Sequence, residues 1–169
     1  MQRFLLILSI LLVSGGAWAA DAWSTFRDPG GLFAVDLPDA PQVTHRTVSG
    51  LNGKPVARDE YTVGRHAVAM VVTVSDLSQI ADKRAVLDAA VKGAASGAAR
   101  DLSDTPISLD GHPGRHVSFI DAHGSRFDDR LFLVDKKLVQ VVAVQTRDAG
   151  APAIAAVQRF RASFHFVAP

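Results

Sequence analysis

Five charged residues in the second half of the chain have the types and spacing of a small binding site. They are Arg115, Arg126, Asp128, Asp129 and Arg130. Successive side chains of a strand point to opposite faces of a sheet, so Arg126, Asp128 and Arg130 should share one face, and the other two should share the opposite face. Cross-strand ion pairs at a surface contribute only about 0–1 kcal/mol, and such a structural role is the first interpretation. The second is a patch that binds an anion or faces a partner, and these residues are our candidate binding site.

Histidines raise the question of a metal site, and the nearest cluster is His112, His116 and His123. In an extended segment, four residues separate His112 from His116 by roughly 13 Å, which is too far for easy ligation of one ion. The turn at residues 111–114 could shorten that distance. The expected hairpin register places His116 opposite Arg130, whose charge would repel a cation. We therefore expect no metal site and no cofactor.

Catalytic motifs are missing from the chain. Ser96 lies between glycines, but their offsets differ from those of a nucleophile elbow and the segment has a helical pattern. Asp128 and Asp129 should face opposite sides of a strand, so they cannot converge on one glycosidic bond. Gly30 and Gly31 precede a strand, whereas a phosphate-binding loop leads into a helix. We expect no enzymatic activity. The alternative is a hydrolase with a noncanonical active site.

Residues 1–19 have the features of a secretory signal peptide. Arg3 precedes an apolar run at residues 4–13, and residues 17–19 have the small side chains that a signal peptidase requires. The run is about ten residues long, whereas a membrane-spanning helix needs about twenty. We expect cleavage after Ala19, a periplasmic or secreted protein, and no stable membrane insertion after cleavage. An uncleaved N-terminal anchor is the alternative.

The mature part, residues 20–169, has the length of a single domain with its own core. Only Arg3 of the 18 Lys and Arg residues lies in the signal, so 17 basic side chains balance 17 acidic ones. Such a balance gives no overall attraction to nucleic acid. The chain has no cysteine, which excludes disulfides, a thiol nucleophile and a lipoprotein acylation site.

Apolar alternation between turn signals predicts eight strands, and the fourth should be central because both of its faces are apolar. Three-residue loops set the register of the last two hairpins. With Gly124 in the left-handed conformation, Phe119 should lie opposite Phe127, and the next hairpin should pair Leu133 with Val139. The predicted strands are residues 32–37, 42–48, 56–63, 66–75, 107–109, 115–121, 126–134 and 138–146.

Two helices complete the prediction. Residues 82–100 lack proline and have apolar side chains at helical spacing, and Gly93 and Gly97 should let this helix approach the sheet closely. Asp101 and Asp104 would then be turn or cap residues. A second helix should begin near Pro152, with an apolar stripe of Ala153, Val157, Phe160 and Phe164.

This order of elements predicts an α+β fold in which one antiparallel sheet is flanked by helices on both faces. Three segments resemble PsbP-like proteins: residues 26–38 (FRDPGGLFAVDLP), 109–115 (LDGHPGR) and 159–164 (RFRASF). The resemblance implies an α/β/α sandwich in a family of photosystem accessory subunits and exported bacterial proteins, mostly without known catalysis. Its motifs mark turns and core aromatics, so no functional residue is carried over.

Together these features predict an exported, non-enzymatic binding or accessory protein of the cell envelope, with an envelope protein as its partner. A small-ligand-binding protein with a cleft between helix and sheet is the runner-up.

Overall fold

The structure, a computed structural model, describes residues 23–50, 53–65 and 67–167. The expected signal peptide lies outside these residues. Within them the chain forms ten strands and two α-helices. The elements are β1 (Ser24–Arg27), β2 (Phe33–Leu37), β3 (Gln42–Ser49), β4 (Pro55–Arg65), β5 (Val68–Asp76), α1 (Lys83–Ala94), β6 (Arg100–Leu109), β7 (His112–Ile120), β8 (Arg126–Val134), β9 (Lys137–Gln145), α2 (Ala151–Ser163) and β10 (His165–Phe166).

The strands form two antiparallel sheets. The large sheet has the order β3-β4-β5-β9-β8-β7-β6, and the small sheet has the order β1-β2-β10. Strand β5 lies inside the large sheet and is buried from Val68 to Ser75, as its apolar sequence predicts. No helix in the described part of the chain is long and apolar enough to cross a membrane.

The predicted fold, one antiparallel sheet flanked by helices on both faces as in a PsbP-like α/β/α sandwich, is wrong. Strands make up 54% of the structure and helices 20%, and the described strands belong to two sheets rather than one. The small sheet takes a place that the prediction gave to a helical layer. It packs together with α2 over the large sheet, and α1 packs on β7 and β8.

Alternation along β8 divides the core into two clusters. Phe132 and Val134 point toward α2 and the small sheet, and we call this side of the large sheet the α2 face. Leu131 and Leu133 point the other way, toward the cluster that includes Val91 of α1, and we call this side the Leu131 face. Both faces of the strand are therefore apolar over these four residues, which explains the continuous run of large side chains in the sequence.

A buried hydrogen bond joins the small sheet to the large one. Tyr61 of β4 donates from its hydroxyl to Oδ1 of Asp28 at 2.8 Å, and the backbone N–H of Leu32 donates to Oδ2 at 3.0 Å. Burial and the nearby Asp28 carboxylate raise the pKa of Tyr61 above its ordinary value. The turn between β1 and β2 is thus fixed to the core by the one acidic residue that it contains.

The first helix is shorter than predicted. It begins after Asp82, whose side chain accepts from the backbone N–H of Ala85 at 2.9 Å, and a single 3-10 turn, Ala95–Gly97, follows its end. Residues 100–106 belong to the edge strand β6, so Asp101 and Asp104 are strand residues rather than caps. Because β6 is largely exposed, its sequence lacks the apolar alternation that marks a strand.

The two glycines of this segment do not act as predicted. A Cβ on Gly93 would meet nothing within 4 Å, so the helix gains no close approach there. A Cβ on Gly97 would lie 3.7 Å from the ring of Phe119, an ordinary packing distance.

Of the two predicted hairpin registers, the first is confirmed and the second is wrong. Phe119 pairs with Phe127 and Gly124 has a φ of 85°, as predicted. The next register is wrong by one residue, because Leu133 pairs with Leu138 instead of Val139. Asp135 adopts a φ of 50°, which allows a connection of two residues where three were predicted.

The closing helix forms as predicted. Pro152 lies in the first turn of α2, and Ala153, Val157 and Phe160 are buried. Phe164 is also buried, but it follows the last helical residue and stacks on Phe33 of the small sheet with ring centroids 5.4 Å apart.

Candidate functional site

The five predicted site residues do not form a single patch. Asp128 and Arg130 lie together on the α2 face, with exposed Arg126 two residues before them on the same strand. Asp129 is buried on the Leu131 face. Arg115 lies on that second face too, but its ion-pair partner is Asp104 of the edge strand β6.

On the α2 face, Asp128 is surrounded by three basic side chains, and we call the four residues the Asp128 cluster. The ring Nε2 of His116 is hydrogen-bonded to Oδ2 of Asp128 at 3.1 Å. Nη1 of Arg161 lies 2.9 Å from the same oxygen. Nε of Arg130 lies 3.9 Å from Oδ1, and Nη1 of Arg130 donates to the backbone carbonyl of Arg161 at 3.5 Å.

Three elements position this cluster. Strand β7 contributes His116, which the register places directly opposite Arg130 of β8. Asp128 and Arg130 are two residues apart on β8 and therefore share a face. Helix α2 contributes Arg161 from its last turn, next to Phe160, whose buried ring anchors that turn to the core.

The cluster lies at the border between solvent and core. The exposed fractions of the side chains are 25% for His116, 14% for Asp128, 23% for Arg130 and 31% for Arg161. Two of its polar atoms, Oδ1 of Asp128 and Nε of Arg161, are buried and have no hydrogen-bond partner among the described residues. Unpaired buried groups of this kind are unfavourable, so the cluster has unused capacity for hydrogen bonds.

Charge within the cluster is unbalanced. Two guanidinium groups face one carboxylate, which leaves one positive charge in excess when the imidazole is neutral. Burial lowers the pKa of Arg130, repulsion from Arg161 lowers it further, and Asp128 acts in the opposite direction. Arginine keeps its charge in proteins despite such effects, so the excess remains.

Sequence reasoning missed two members of the cluster. The sequence suggested His116 only as a possible metal ligand, whereas its partner in the structure is the carboxylate of Asp128. Arg161 is 31 residues from Arg130 in the sequence, and the contact between these two residues depends on how α2 docks on the large sheet. The buried position of Phe160 was predictable from the apolar stripe, but the side to which its neighbour Arg161 extends was not.

Asp129 is in a different environment from Asp128. Nε2 of Gln140 donates to its Oδ2 at 2.6 Å, and its Oδ1 is buried without a hydrogen-bond partner in the described part of the chain. Burial raises the pKa of Asp129 to about 7. The hydrogen bond from Gln140 lowers this pKa but has a smaller effect, and the charge of Asp128 raises it further. Since the residue is 4% exposed, it cannot contact a ligand in this structure.

The cluster also contains the histidine–aspartate pair that acid–base catalysis often uses. A carboxylate accepts hydrogen bonds, so the proton of the imidazole must lie on Nε2 toward Asp128. Nδ1 would then have to reach a nucleophile, and within the described residues His116 shows no hydrogen bond to a hydroxyl group. The described His, Asp and Glu residues also include no group of three placed to hold a metal ion.

Two open depressions lie elsewhere on the surface. One, of about 500 Å³, is formed around the turn after β8, and a shallower one lies on strands β3 and β4. The first is lined by Leu32, Asp76, Ser78, Val134, Asp135, Lys136 and Lys137. Neither is the cleft between helix and sheet that a small-ligand-binding protein was expected to have.

Comparison of the whole chain with protein-family models and with curated proteins finds no match to either. The chemistry of the Asp128 cluster is therefore the main guide to function.

Proposed function

We propose that this chain is an exported, non-enzymatic binding or accessory protein of the cell envelope, and that it contacts its partner through the Asp128 cluster. The observation that supports this proposal is the excess positive charge of a half-buried group of side chains. A partner that brings a negative group would balance the charge and accept hydrogen bonds from the guanidinium groups.

Binding fits the residue types better than catalysis does. Guanidinium groups present a rigid fork of donors and stay charged, which suits recognition rather than proton transfer. The imidazole of His116 and the guanidinium of Arg161 contact the same oxygen of Asp128. The resemblance to PsbP-like proteins rests on turns and core aromatics and stays a proposal, and the sandwich that it implied differs from the fold of this chain.

Export is proposed from the N-terminal sequence alone. Arg3, the apolar run and the small residues before Ala20 together predict cleavage and release on the far side of the membrane. N-terminal sequencing of the protein recovered from fractionated cells would test this. We expect a chain that begins at Ala20 in the periplasmic or secreted fraction, whereas Met1 retained on membrane-bound protein would contradict export.

Site-specific crosslinking in intact cells tests the binding role. A photoreactive amino acid at Thr105, which is exposed on β6 and pairs with His116, would lie beside the cluster. The matched control is the same amino acid at Asp88, an exposed position of α1. We expect a discrete crosslinked product at position 105 that is absent at position 88.

The product should also be lost when Arg130 and Arg161 are both replaced by Gln. Equal crosslinking at positions 105 and 88, or a product that the double substitution does not change, would refute the cluster as the contact site.

A further inference from the structure

We infer that the Asp128 cluster binds a carboxylate group, carried either by an acidic side chain of a protein partner or by a small organic acid. The inference deepens the proposed function, because it rests on the cluster being a binding site and specifies what the site recognises.

Charge balance favours a group with a single negative charge. Arg130 and Arg161 together exceed Asp128 by one positive charge when the imidazole of His116 is neutral. A carboxylate would bring the site to neutrality, whereas a phosphate dianion would leave it with one negative charge in excess. At a half-buried site such an excess is unfavourable, because charges there are screened less than at an open surface.

Donor geometry points to the same class of ligand. Each guanidinium has five N–H donors in one plane, and a carboxylate matches two of them. Arg161 directs Nη1 toward Asp128, and Arg130 directs Nη1 toward a backbone carbonyl, so each keeps further donors. Because both side chains remain partly exposed, a carboxylate can approach from solvent.

The neighbouring strand positions are polar and uncharged. Ser118 pairs directly with Asp128, and Thr105 pairs directly with His116, which places both hydroxyl-bearing residues on the α2 face beside the cluster. Hydroxyl groups donate to carboxylate oxygens without adding charge. Exposed Arg126 on the same face adds attraction for an anion at longer range.

A cation at the free oxygen of Asp128 is the opposite interpretation, and the surroundings argue against it. Oδ1 is buried, and the charged Nε of Arg130 lies 3.9 Å from it. Arg161 lies 2.9 Å from the other oxygen. A metal ion would therefore enter a site that already has excess positive charge, which raises its energy.

A titration of the exported protein, purified from cells, tests the inference. The probes are sodium acetate, a hexapeptide of glutamate and inorganic phosphate, each at constant ionic strength and at about pH 8, where phosphate is mainly a dianion. The imidazole resonances of His116 are followed by NMR. We expect acetate and the peptide to shift these resonances in a saturable way, and phosphate to bind more weakly than acetate. The Arg161→Gln variant should lose about tenfold or more in affinity for both carboxylate probes.

Two further variants make the result specific. Asp128→Asn removes a competing carboxylate, so acetate should bind about threefold or more tightly, which a cation site would not show. Arg84→Gln, at an exposed position of α1, is the control for general loss of charge and should leave both affinities unchanged. A thermal melt of each variant verifies that it is folded, and Arg161→Lys replaces Arg161→Gln if the latter is not.

The outcomes separate the inference from the proposed function. Peptide binding about tenfold tighter than acetate would identify an acidic protein segment as the source, and equal binding would identify a small organic acid. Phosphate binding as tight as acetate, or no carboxylate binding at all, would overturn the inference. In that case, crosslinking at position 105 would still support the proposed function. Acetate binding without crosslinking would instead support the carboxylate site and argue against a protein partner.

Discussion

Asp128 and Asp129 are consecutive in the chain, yet their carboxyl groups lie on opposite faces of the large sheet. Asp128 meets three basic side chains at the border of the α2 face, while Asp129 meets a neutral amide inside the Leu131 face. A strand reverses its side chains at every residue, and this alone gives two identical acids different surroundings. Asp128 has compensating charges, whereas Asp129 has no basic group within hydrogen-bond distance among residues 23–50, 53–65 and 67–167.

We predict that Asp129 makes the stability of the protein depend on pH. Its folded pKa is raised from 3.8 to about 7, so the folded protein keeps a proton that the unfolded chain releases. The free energy of unfolding should therefore fall as pH rises from about 4 to about 7 and level off above that, by at most about 4 kcal/mol. Denaturant unfolding of the wild type and of Asp129→Asn at several pH values measures this difference.

The asparagine variant should lack this contribution and be the more stable protein at pH 8. An amide can still pair with Gln140 after the latter reorients, so the hydrogen bond need not be lost. Asp88→Asn is the matched control, because Asp88 is exposed on α1 and its replacement should leave the pH profile unchanged. A wild-type profile that runs parallel to that of Asp129→Asn would show that Asp129 is ionised in the folded protein.

Phe160 should be one of the main contributors to the core. It is fully buried and anchors α2 between the two sheets, so Phe160→Ala should destabilise the protein by about 3–5 kcal/mol. Ile154 lies on the same helix but is 47% exposed, so Ile154→Ala should change the free energy of unfolding by less than about 0.5 kcal/mol. Similar values for the two variants in urea unfolding would mean that α2 is not docked by this face.

Chelation should leave stability unchanged. The described part of the chain has no group of three metal-binding side chains, and the imidazole of His116 already bonds to Asp128. A metal bound by the native state alone would raise the melting temperature by mass action. We expect equal melting temperatures with and without EDTA, measured together with metal content. A tightly held ion whose removal lowers the melting temperature by several degrees would contradict this.

The sequence predicted local structure better than assembly, and particular residues show why. Phe119 opposite Phe127 follows from a glycine-containing loop, and the apolar stripe around Phe160 follows from helical spacing. Strand β10 has only two residues, so no periodicity could reveal it, and it forms because its backbone pairs with β2. The third strand of the small sheet therefore depends on long-range pairing, whereas β1 and β2 pair as a local hairpin.

The candidate site was predictable in part for the same reason. Alternation placed Asp128 and Arg130 together and separated them from Asp129, as the structure shows. The register also placed His116 opposite Arg130. Arg161 could not be assigned, because its contact with Asp128 is created by the docking of α2 rather than by any local pattern.

The last prediction concerns Gly114, which lies where β7 crosses the large side chains of β8. It pairs with Phe132, and a Cβ placed on it would lie 2.6 Å from Cδ1 of that ring and closer still to the carbonyl oxygen of Leu131. Backbone atoms of a central strand cannot move aside freely, so Gly114→Ala should destabilise the protein by about 1–3 kcal/mol or more. Gly93→Ala is the matched control, because a Cβ there meets nothing within 4 Å and alanine favours the helix by about 0.5–1 kcal/mol. The midpoint of urea unfolding should therefore move to lower urea for Gly114→Ala and to higher urea for Gly93→Ala. A Gly114→Ala protein as stable as the wild type would show that β7 and β8 do not approach each other this closely.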